Sequence, residues 1–174
     1  MAPELEFGAI NPARFEILPD THGAPRGFLD AAPISAAISL SHREGAALGV
    51  VTRTGSVGCD LEWIEPRSEA FVRDYFTAAE RERIEAAGVS ARELLANGLW
   101  SAKESLLKLL GVGLRIDTRS IIVESFPQDS LRDWRPLAMR LVSDGRCFTG
   151  WRRCEDNWIL TVVADEATAC PIDC

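Results

Sequence analysis

Leu99-Trp100-Ser101-Ala102-Lys103-Glu104-Ser105-Leu106-Leu107-Lys108 is the stretch that decides the fold of this 174-residue chain. Apolar residues recur through and around it at helical spacing, which predicts a long helix with one buried stripe. The capping-box pattern Ser90-Ala91-Arg92-Glu93 predicts that this helix begins near Ser90. Gly111 and Gly113 are typical of a helix end. The periodic positions are Leu95, Leu99, Ala102, Leu106 and Leu109 or Leu110.

Strands are predicted on both sides of the helical region, which indicates an α+β layout. Upstream, residues 1–33 are predicted to be mostly loop, with one extended piece around Phe15–Leu18. Arg53-Thr54-Gly55 predicts a hairpin turn between two of the upstream strands. The predicted strands are 34–41, 46–52 and 57–64 upstream and 120–125, 137–142, 146–153 and 158–164 downstream. The predicted shorter helices are 69–75 and a second one, after the capping box Thr77-Ala78-Ala79-Glu80, that ends near Ala87.

Composition excludes several classes of function. The net charge of −7 argues against general nucleic-acid binding. Five cysteines without a C-x-x-C pair indicate neither a disulfide framework nor a zinc site. No apolar run reaches membrane-spanning length, and the acidic first residues lack a signal-peptide core. We therefore expect a cytoplasmic protein.

Asp60 and Glu62 lie two residues apart in a predicted strand, so both side chains point to one face. The simpler interpretation is a solvated face with arginines nearby. The alternative is a divalent cation such as Mg²⁺, which prefers carboxylate oxygens. Glu104 becomes a third ligand if the long helix crosses this strand, and Gly58 leaves room beside such a site.

Two further pairs of polar residues have two interpretations each. Ser41 and His42 either end a strand as an ordinary polar pair or belong to a site. A Ser-His-Asp triad is disfavoured because no nucleophile-elbow pattern surrounds Ser41. Lys103 and Lys108 are either solvated helix residues or point charges for phosphate groups.

In this order, the motifs resemble the 4′-phosphopantetheinyl transferase superfamily, in particular its surfactin-synthetase-activating type. The matching stretches are Ser39–His42, Val57–Glu62 and Trp100–Lys108, with Phe76-Thr77-x-x-Glu80 between them. The resemblance implies an antiparallel sheet with a long helix packed on it. A glutamate at position 62 favours this type over the short holo-acyl-carrier-protein synthases.

The resemblance implies an activity and a set of roles. The family transfers the 4′-phosphopantetheine arm of coenzyme A to a serine of an apo carrier protein and releases adenosine 3′,5′-bisphosphate. Asp60, Glu62 and Glu104 match its metal-binding acids, with Mg²⁺ expected and Mn²⁺ as the alternative. Lys103 and Lys108 match lysines near the coenzyme's phosphates, whereas Ser41 and His42 match the pair near its 3′-phosphate end. Glu104 or a metal-held water accepts the serine proton, and Lys108 offsets charge on the leaving phosphate.

Two departures from the family accompany the resemblance. Ala24 stands where the family commonly has a phosphate-binding lysine, for which Arg26, Arg43 or Arg14 are candidate substitutes. The family type usually has two similar halves with the site between them, but the first lobe here, residues 1–57, is too short for a full first half. The second lobe is residues 58–174. The chain therefore either has a minimal first lobe, belongs to a larger synthase, or forms a homo-oligomer such as a trimer with the coenzyme at a boundary. A non-catalytic module that binds carrier proteins or coenzyme A is the alternative function.

The segment Phe71–Ala87, together with the start of the long helix, is the predicted docking surface for an acyl, polyketide or peptidyl carrier protein. Its aromatic and aliphatic residues are either anchors for that partner or simply core. Its arginines are suited to an acidic partner. The candidate anchors are Phe71, Tyr75, Phe76 and Ile84, and the candidate arginines are Arg73, Arg81 and Arg83.

Overall fold

A computed structural model of the chain describes residues 11–128, 132–165 and 170–173, apart from the side chain of Ser90. The order of elements is strands, then helices, then strands, so the α+β prediction is confirmed. The upstream strands are β1 Phe15–Pro19, β2 Pro25–Leu29, β3 Ala32–Pro33, β4 Ala37–Arg43, β5 Ala46–Thr52 and β6 Val57–Trp63. The helices are α1 Glu69–Tyr75, α2 Ala78–Ala86 and α3 Val89–Leu110. The downstream strands are β7 Ile121–Ser125, β8 Arg135–Leu141, β9 Cys147–Glu155 and β10 Trp158–Ala164.

The main sheet contains five antiparallel strands in the order β6-β10-β9-β8-β7. The last four strands form an antiparallel meander, and β10 then pairs with the much earlier β6. In that pairing Asp60 lies opposite Thr161, and Gly58 lies opposite Val163. Because paired residues of antiparallel strands share a face, this register fixes which side of the sheet carries Asp60.

Helix α3 packs on this face of the sheet, as predicted. A Cβ atom at Gly58 would lie 1.9 Å from the backbone oxygen of Ser105, so the helix approaches β6 as closely as a glycine permits. The Ser101 and Ser105 hydroxyls hydrogen-bond the Thr161 hydroxyl at 2.8 and 2.6 Å. The apolar stripe is buried, with Leu95, Leu99, Ala102 and Leu106 fully enclosed.

The two ends of α3 differ in how well the sequence predicts them. Gly111 adopts the left-handed conformation, with φ of 67°, and ends the helix as predicted. The helix begins at Val89, close to the predicted start near Ser90, but its N-cap is Gly88, which supplies no side-chain hydrogen bond. In α2 the predicted capping box is confirmed, since Thr77 and Glu80 exchange both capping hydrogen bonds.

Small sheets form the first part of the chain, where two predictions are wrong. Strand β5 pairs with β4, and β6 pairs with β10, so residues 53–56 connect two sheets rather than form a hairpin turn. Residues 25–29 pair with β1 instead of lying in a loop. Proline and glycine in that stretch indicate a break, but β2 lies between two partners that satisfy its backbone.

The β4–β5 pair packs beside β6, where the Ser39 hydroxyl accepts a 2.9 Å hydrogen bond from the Cys59 backbone N–H. This contact fixes β4 next to the acids of β6. None of the helices in the described residues is long and apolar enough to cross a membrane.

Candidate active site

Carboxylates from β6 and α3 meet where the helix crosses the strand. The register of β6 directs Asp60 and Glu62 towards α3, as strand alternation predicts. Both residues are buried, with 4% and 8% of the residue surface exposed. Partners on α3 contact each of them, Lys108 at Asp60 and Trp100 at Glu62.

Asp60 has one satisfied and one unsatisfied oxygen. Its Oδ1 accepts hydrogen bonds from the Ser41 hydroxyl at 2.9 Å and from Lys108 Nζ at 2.8 Å. Its Oδ2 is buried and has no hydrogen-bond partner among the residues that the structure describes. A buried carboxylate oxygen without a partner is costly, so this atom is a candidate ligand for a cation.

Glu62 is held by cationic side chains. Its Oε1 accepts a 3.0 Å hydrogen bond from the indole Nε1 of Trp100. Its Oε2 accepts from Arg67 at 2.7 Å and also from Arg43. The sequence analysis expects arginines near these acids but does not name Arg67. No spacing pattern predicts that a residue beyond Pro66 contacts the strand again.

Glu104 lies in an environment that disfavours its ionised form. Burial raises the pKa of its carboxyl group, and the negative charges of Asp60 and Glu62 raise this pKa further, while Lys108 lowers it. No hydrogen bond to the Glu104 carboxylate occurs within the described ranges. The three predicted acids are therefore close enough to repel one another electrostatically.

The acids do not form a ready-made metal site. No group of three or more histidine, cysteine, aspartate or glutamate residues is positioned to hold an ion within the described part of the chain. Arginines occupy Oε2 of Glu62. The donor chemistry nevertheless fits a hard divalent cation, since Asp60 Oδ2 and the Glu104 carboxylate are oxygen donors in need of positive charge.

The two lysines of α3 have different surroundings. Lys108 Nζ binds Asp60 Oδ1 and the Cys59 carbonyl, and its side chain is 29% exposed. Lys103 is fully buried, with Nζ 2.7 Å from Glu80 and 3.0 Å from the Thr118 carbonyl. The predicted contact between Lys103 and the coenzyme's phosphates is therefore wrong, because its ammonium group is committed to a buried ion pair.

A groove of about 500 Å³ begins at the C-terminal end of α3 and extends to the β1–β2 turn. Lys108 lines one part of it, and Arg26 and His22 line another. Ala24, which replaces the expected lysine, is also in the lining. Ser41 and His42 lie outside the lining residues, since Ser41 is bound to Asp60 and His42 is exposed on β4.

The predicted docking residues divide into surface and core. Phe76 and Ile84 are 1% and 0% exposed, so they belong to the core and cannot contact a partner. Phe71 and Tyr75 are half-buried and pack with Trp100, their ring centroids 5.0 and 4.9 Å from its ring. Arg83 donates to the Val123 carbonyl, whereas Arg73 and Arg81 line a surface groove between the helices.

Comparisons with known proteins agree with the motifs. The family model described as the 4′-phosphopantetheinyl transferase superfamily matches residues 56–163. The 4′-phosphopantetheinyl transferase HetI of Nostoc sp. is 31% identical over 78 residues, which are 44% of this chain and 33% of that relative. The match therefore spans a third of the relative's length.

A solved structure gives a further comparison. The crystal structure of holo-[acyl-carrier-protein] synthase (AcpS) from Thermotoga maritima has a TM-score of 0.42 and 15% identity, covering 62% of this chain and 61% of that chain. The family model covers β6 and all of α3, which are the elements that carry Asp60, Glu62 and Glu104. Since that match includes more than half of the sequence, the chain belongs to the 4′-phosphopantetheinyl transferase superfamily.

Proposed function

We propose that the protein transfers the 4′-phosphopantetheine arm of coenzyme A to a serine of an apo carrier protein and releases adenosine 3′,5′-bisphosphate. The observation that carries the proposal is the buried Oδ2 of Asp60, which has no hydrogen-bond partner among the described residues. This atom lies near Glu104 and Lys108, beside a groove of about 500 Å³. Family membership supports the same activity. Glu62 supports the surfactin-synthetase-activating type within the family.

Asp60, Glu104 and Glu62 are the proposed ligands of Mg²⁺, or of Mn²⁺ in its place. A bound divalent ion would supply positive charge to the pyrophosphate and stabilise charge on the leaving phosphate. Asp60 has a free oxygen for this role already. Glu62 becomes available as a ligand only when an arginine releases its Oε2.

The chain's own residues have distinct proposed roles. Lys108 places an ammonium group beside Asp60 at the inner part of the groove, where it attracts a phosphate oxygen. Ser41 holds the Asp60 carboxylate in position through its hydroxyl. Glu104 carries a raised pKa and no hydrogen bond within the described ranges, so it is suited to accept the proton of the attacking serine. His42 is the proposed contact of the coenzyme's 3′-phosphate end, as the family resemblance implies.

A non-catalytic binding module is the second candidate function. It is favoured by Ala24, which leaves the coenzyme groove one lysine short, and by the arginines that occupy Glu62. In this case the protein binds coenzyme A or a carrier protein without breaking the pyrophosphate bond.

The organisation of the whole protein is also part of the proposal. Residues 1–57 form a shortened coenzyme-binding lobe and residues 58–174 form the lobe that carries the acids, as one functional unit. Leu40 and Val51 expose 44% and 59% of their surface on the β4–β5 pair, which supports a homo-oligomer or a larger synthase that covers this face. Acyl, polyketide and peptidyl carriers are all candidate acceptors, in a cytoplasmic location.

The deciding experiment is the mass of the acceptor. Purified protein is incubated with coenzyme A, Mg²⁺ and a panel of apo carrier proteins, and each carrier is weighed by intact-mass spectrometry. The proposal predicts that one carrier gains a phosphopantetheine group and that EDTA prevents this gain. Coenzyme binding by calorimetry without a mass gain on any carrier would favour the binding module instead.

A further inference from the structure

Arg43 occupies an acid of the proposed site without belonging to the proposed catalytic set. Its guanidinium group reaches from the end of β4 to the carboxylates of Glu62 and Glu65, the second at 2.5 Å. The Arg43 side chain is 26% exposed, whereas the Glu62 side chain is 11% exposed. A mostly buried carboxylate is thus neutralised by a partner that has access to solvent.

The second arginine at Glu62 is fixed more firmly. Arg67 Nε donates to Asn97 at 2.6 Å, and its guanidinium group lies 4.9 Å from the centre of the Phe71 ring. Its side chain is 13% exposed. Arg67 therefore has three anchors besides its bond to Glu62, counting the 3.4 Å ion pair with Glu65. Of the two arginines, Arg43 is the one that can leave Glu62.

The contacts of Arg43 also allow it to release Glu62. Since one nitrogen of its fork binds Glu62 and the other binds Glu65, it can release Glu62 and still keep an ion pair. A divalent cation attracts a carboxylate more strongly than a single guanidinium does, because it carries twice the charge. The two cations therefore compete for one oxygen of Glu62.

We infer that Arg43 competes with the divalent cation for Glu62 and thereby sets the metal affinity of the site. The inference rests on the proposed function in one respect, namely that Glu62 is a ligand when the metal binds. It assigns Arg43 a positioning role that acts through Glu62 and involves no contact with substrate. Arg43 accordingly lowers metal affinity in the free protein, and its release accompanies metal binding.

Direct titration of Mn²⁺ into the full chain, with free Mn²⁺ followed by electron paramagnetic resonance, tests this inference. Arg43→Gln is expected to tighten Mn²⁺ binding by about three- to tenfold, the range for loss of one charge-assisted contact. The control is Arg140→Gln, which breaks a more exposed ion pair with Glu124 between β7 and β8, away from the site. The control is expected to leave Mn²⁺ affinity unchanged.

A double-mutant cycle separates the proposed mechanism from a general loss of positive charge. If Arg43 acts through Glu62, adding Arg43→Gln to Glu62→Gln changes Mn²⁺ affinity by less than about twofold. Equal tightening in both backgrounds, or no tightening in the wild-type background, would overturn the inference. Should Arg43→Gln fail to fold, Arg43→Lys is the substitute variant, because it keeps the charge but loses the guanidinium group that binds two carboxylates at once. A smaller tightening of Mn²⁺ binding is expected for this variant. An unchanged or weaker Mn²⁺ affinity would contradict the inference.

Carrier mass gain distinguishes a failure of the inference from a failure of the proposed function. Coupling between Arg43 and Glu62 in the Mn²⁺ titrations without any mass gain would leave the inference standing and remove the transferase activity. Mass gain without coupling would keep the activity and remove the role of Arg43.

Discussion

At the scale of single residues, the site is a balance between three acids and their cationic partners. Lys108 neutralises Asp60, and two arginines neutralise Glu62. At Glu104, the positive charge of Lys108, one helical turn away, offsets part of the repulsion from the two nearby acids. The excess negative charge is therefore concentrated on Glu104, and this residue is expected to respond most strongly to pH and to cations.

Glu104→Gln is expected to raise the melting temperature at neutral pH. The folded protein raises the pKa of Glu104 above its ordinary value of 4.5, so ionised Glu104 destabilises the fold. The stability associated with its protonated form is fully present below the ordinary pKa and is lost as the pH rises through the raised pKa. The gain from glutamine should therefore be largest at neutral pH and shrink towards zero below about pH 4.

Thermal unfolding measured by circular dichroism across this pH range checks the prediction. The exposed Glu82 on α2 provides a control, and its replacement by glutamine should show no comparable gain. A stability difference that stays constant from pH 4 to pH 7, as approximate limits, would mean that ionisation of Glu104 does not carry the effect.

At the scale of elements, the position of α3 against β6 decides whether the acids meet at all. The helix backbone lies directly over Gly58, with Ser105 O and Leu109 N at 1.9 and 2.6 Å from the place of a Cβ atom. A backbone atom cannot move aside as a side chain can. Any side chain at position 58 therefore displaces the helix that carries Glu104 and Lys108.

Gly58→Ala is expected to destabilise the protein by about 1–3 kcal/mol, as overpacking does, and to weaken Mn²⁺ binding as well. Chemical denaturation in urea measures the first effect, and the Mn²⁺ titration measures the second. Gly49→Ala is the matched control, because the nearest atom to its Cβ is a flexible Leu40 methyl group at 3.3 Å. Equal stability of the two variants would mean that α3 shifts without cost.

Lys103 connects secondary-structure elements and has a structural role. Its ammonium group binds Glu80 of α2 and the carbonyl of Thr118, which precedes β7. Glu80 in turn accepts a 3.0 Å hydrogen bond from the Val123 backbone N–H. The pair therefore ties α2, α3 and β7 together in the core.

Lys103→Met is expected to lower the free energy of unfolding by about 3–5 kcal/mol, because it leaves the Glu80 carboxylate buried without its cation. Urea denaturation measures this loss. Arg119→Gln, which breaks an exposed ion pair with Asp117, should cause little measurable change. A stable Lys103→Met protein with reduced affinity for coenzyme A would contradict the structural role and restore the phosphate contact.

The sequence predicted those elements whose signal is local. The spacing of apolar residues predicted α3, and Gly111 predicted its end. The capping residues Thr77 and Glu80 predicted the start of α2. The pairing of β6 with β10 joins residues about a hundred positions apart, and no local pattern contains it. The same limit applies to the site, where strand alternation placed Asp60 and Glu62 on one face but could not show that arginines hold Glu62.

Lys103 illustrates a second limit of the sequence. It lies next to Glu104 and follows the family motif, yet consecutive helical residues point in directions about 100° apart. Its side chain therefore enters the core when that of Glu104 faces β6. Whether a lysine is solvated, bound to phosphate or buried depends on the partner that the tertiary fold supplies, in this case Glu80.

At the scale of the whole molecule, the groove connects the first strands with the C-terminal end of α3. Of the three arginines considered as substitutes for the lysine absent at position 24, Arg43 is paired with Glu62 and Glu65, and Arg14 is paired with Asp30. Arg26 lines the groove, and its side chain is 63% exposed beside Asp20. The fold thus leaves Arg26 as the arginine able to meet a phosphate group of a molecule that also reaches Lys108.

Arg26→Gln is expected to weaken the binding of coenzyme A by about three- to tenfold, as the loss of one exposed charge-assisted contact does. Binding of 3′-dephospho-coenzyme A should change much less, since that molecule lacks the phosphate group on its ribose. Calorimetric titration of both compounds into wild-type protein and variant gives the comparison. Arg14→Gln, immediately before β1, is the control, because Arg14 lies outside the lining of the groove. Equal weakening for both compounds would place the contact of Arg26 elsewhere on the coenzyme. No weakening for either compound would mean that this lobe supplies no partner for the phosphate, and would favour a second copy of the chain as the source of that partner.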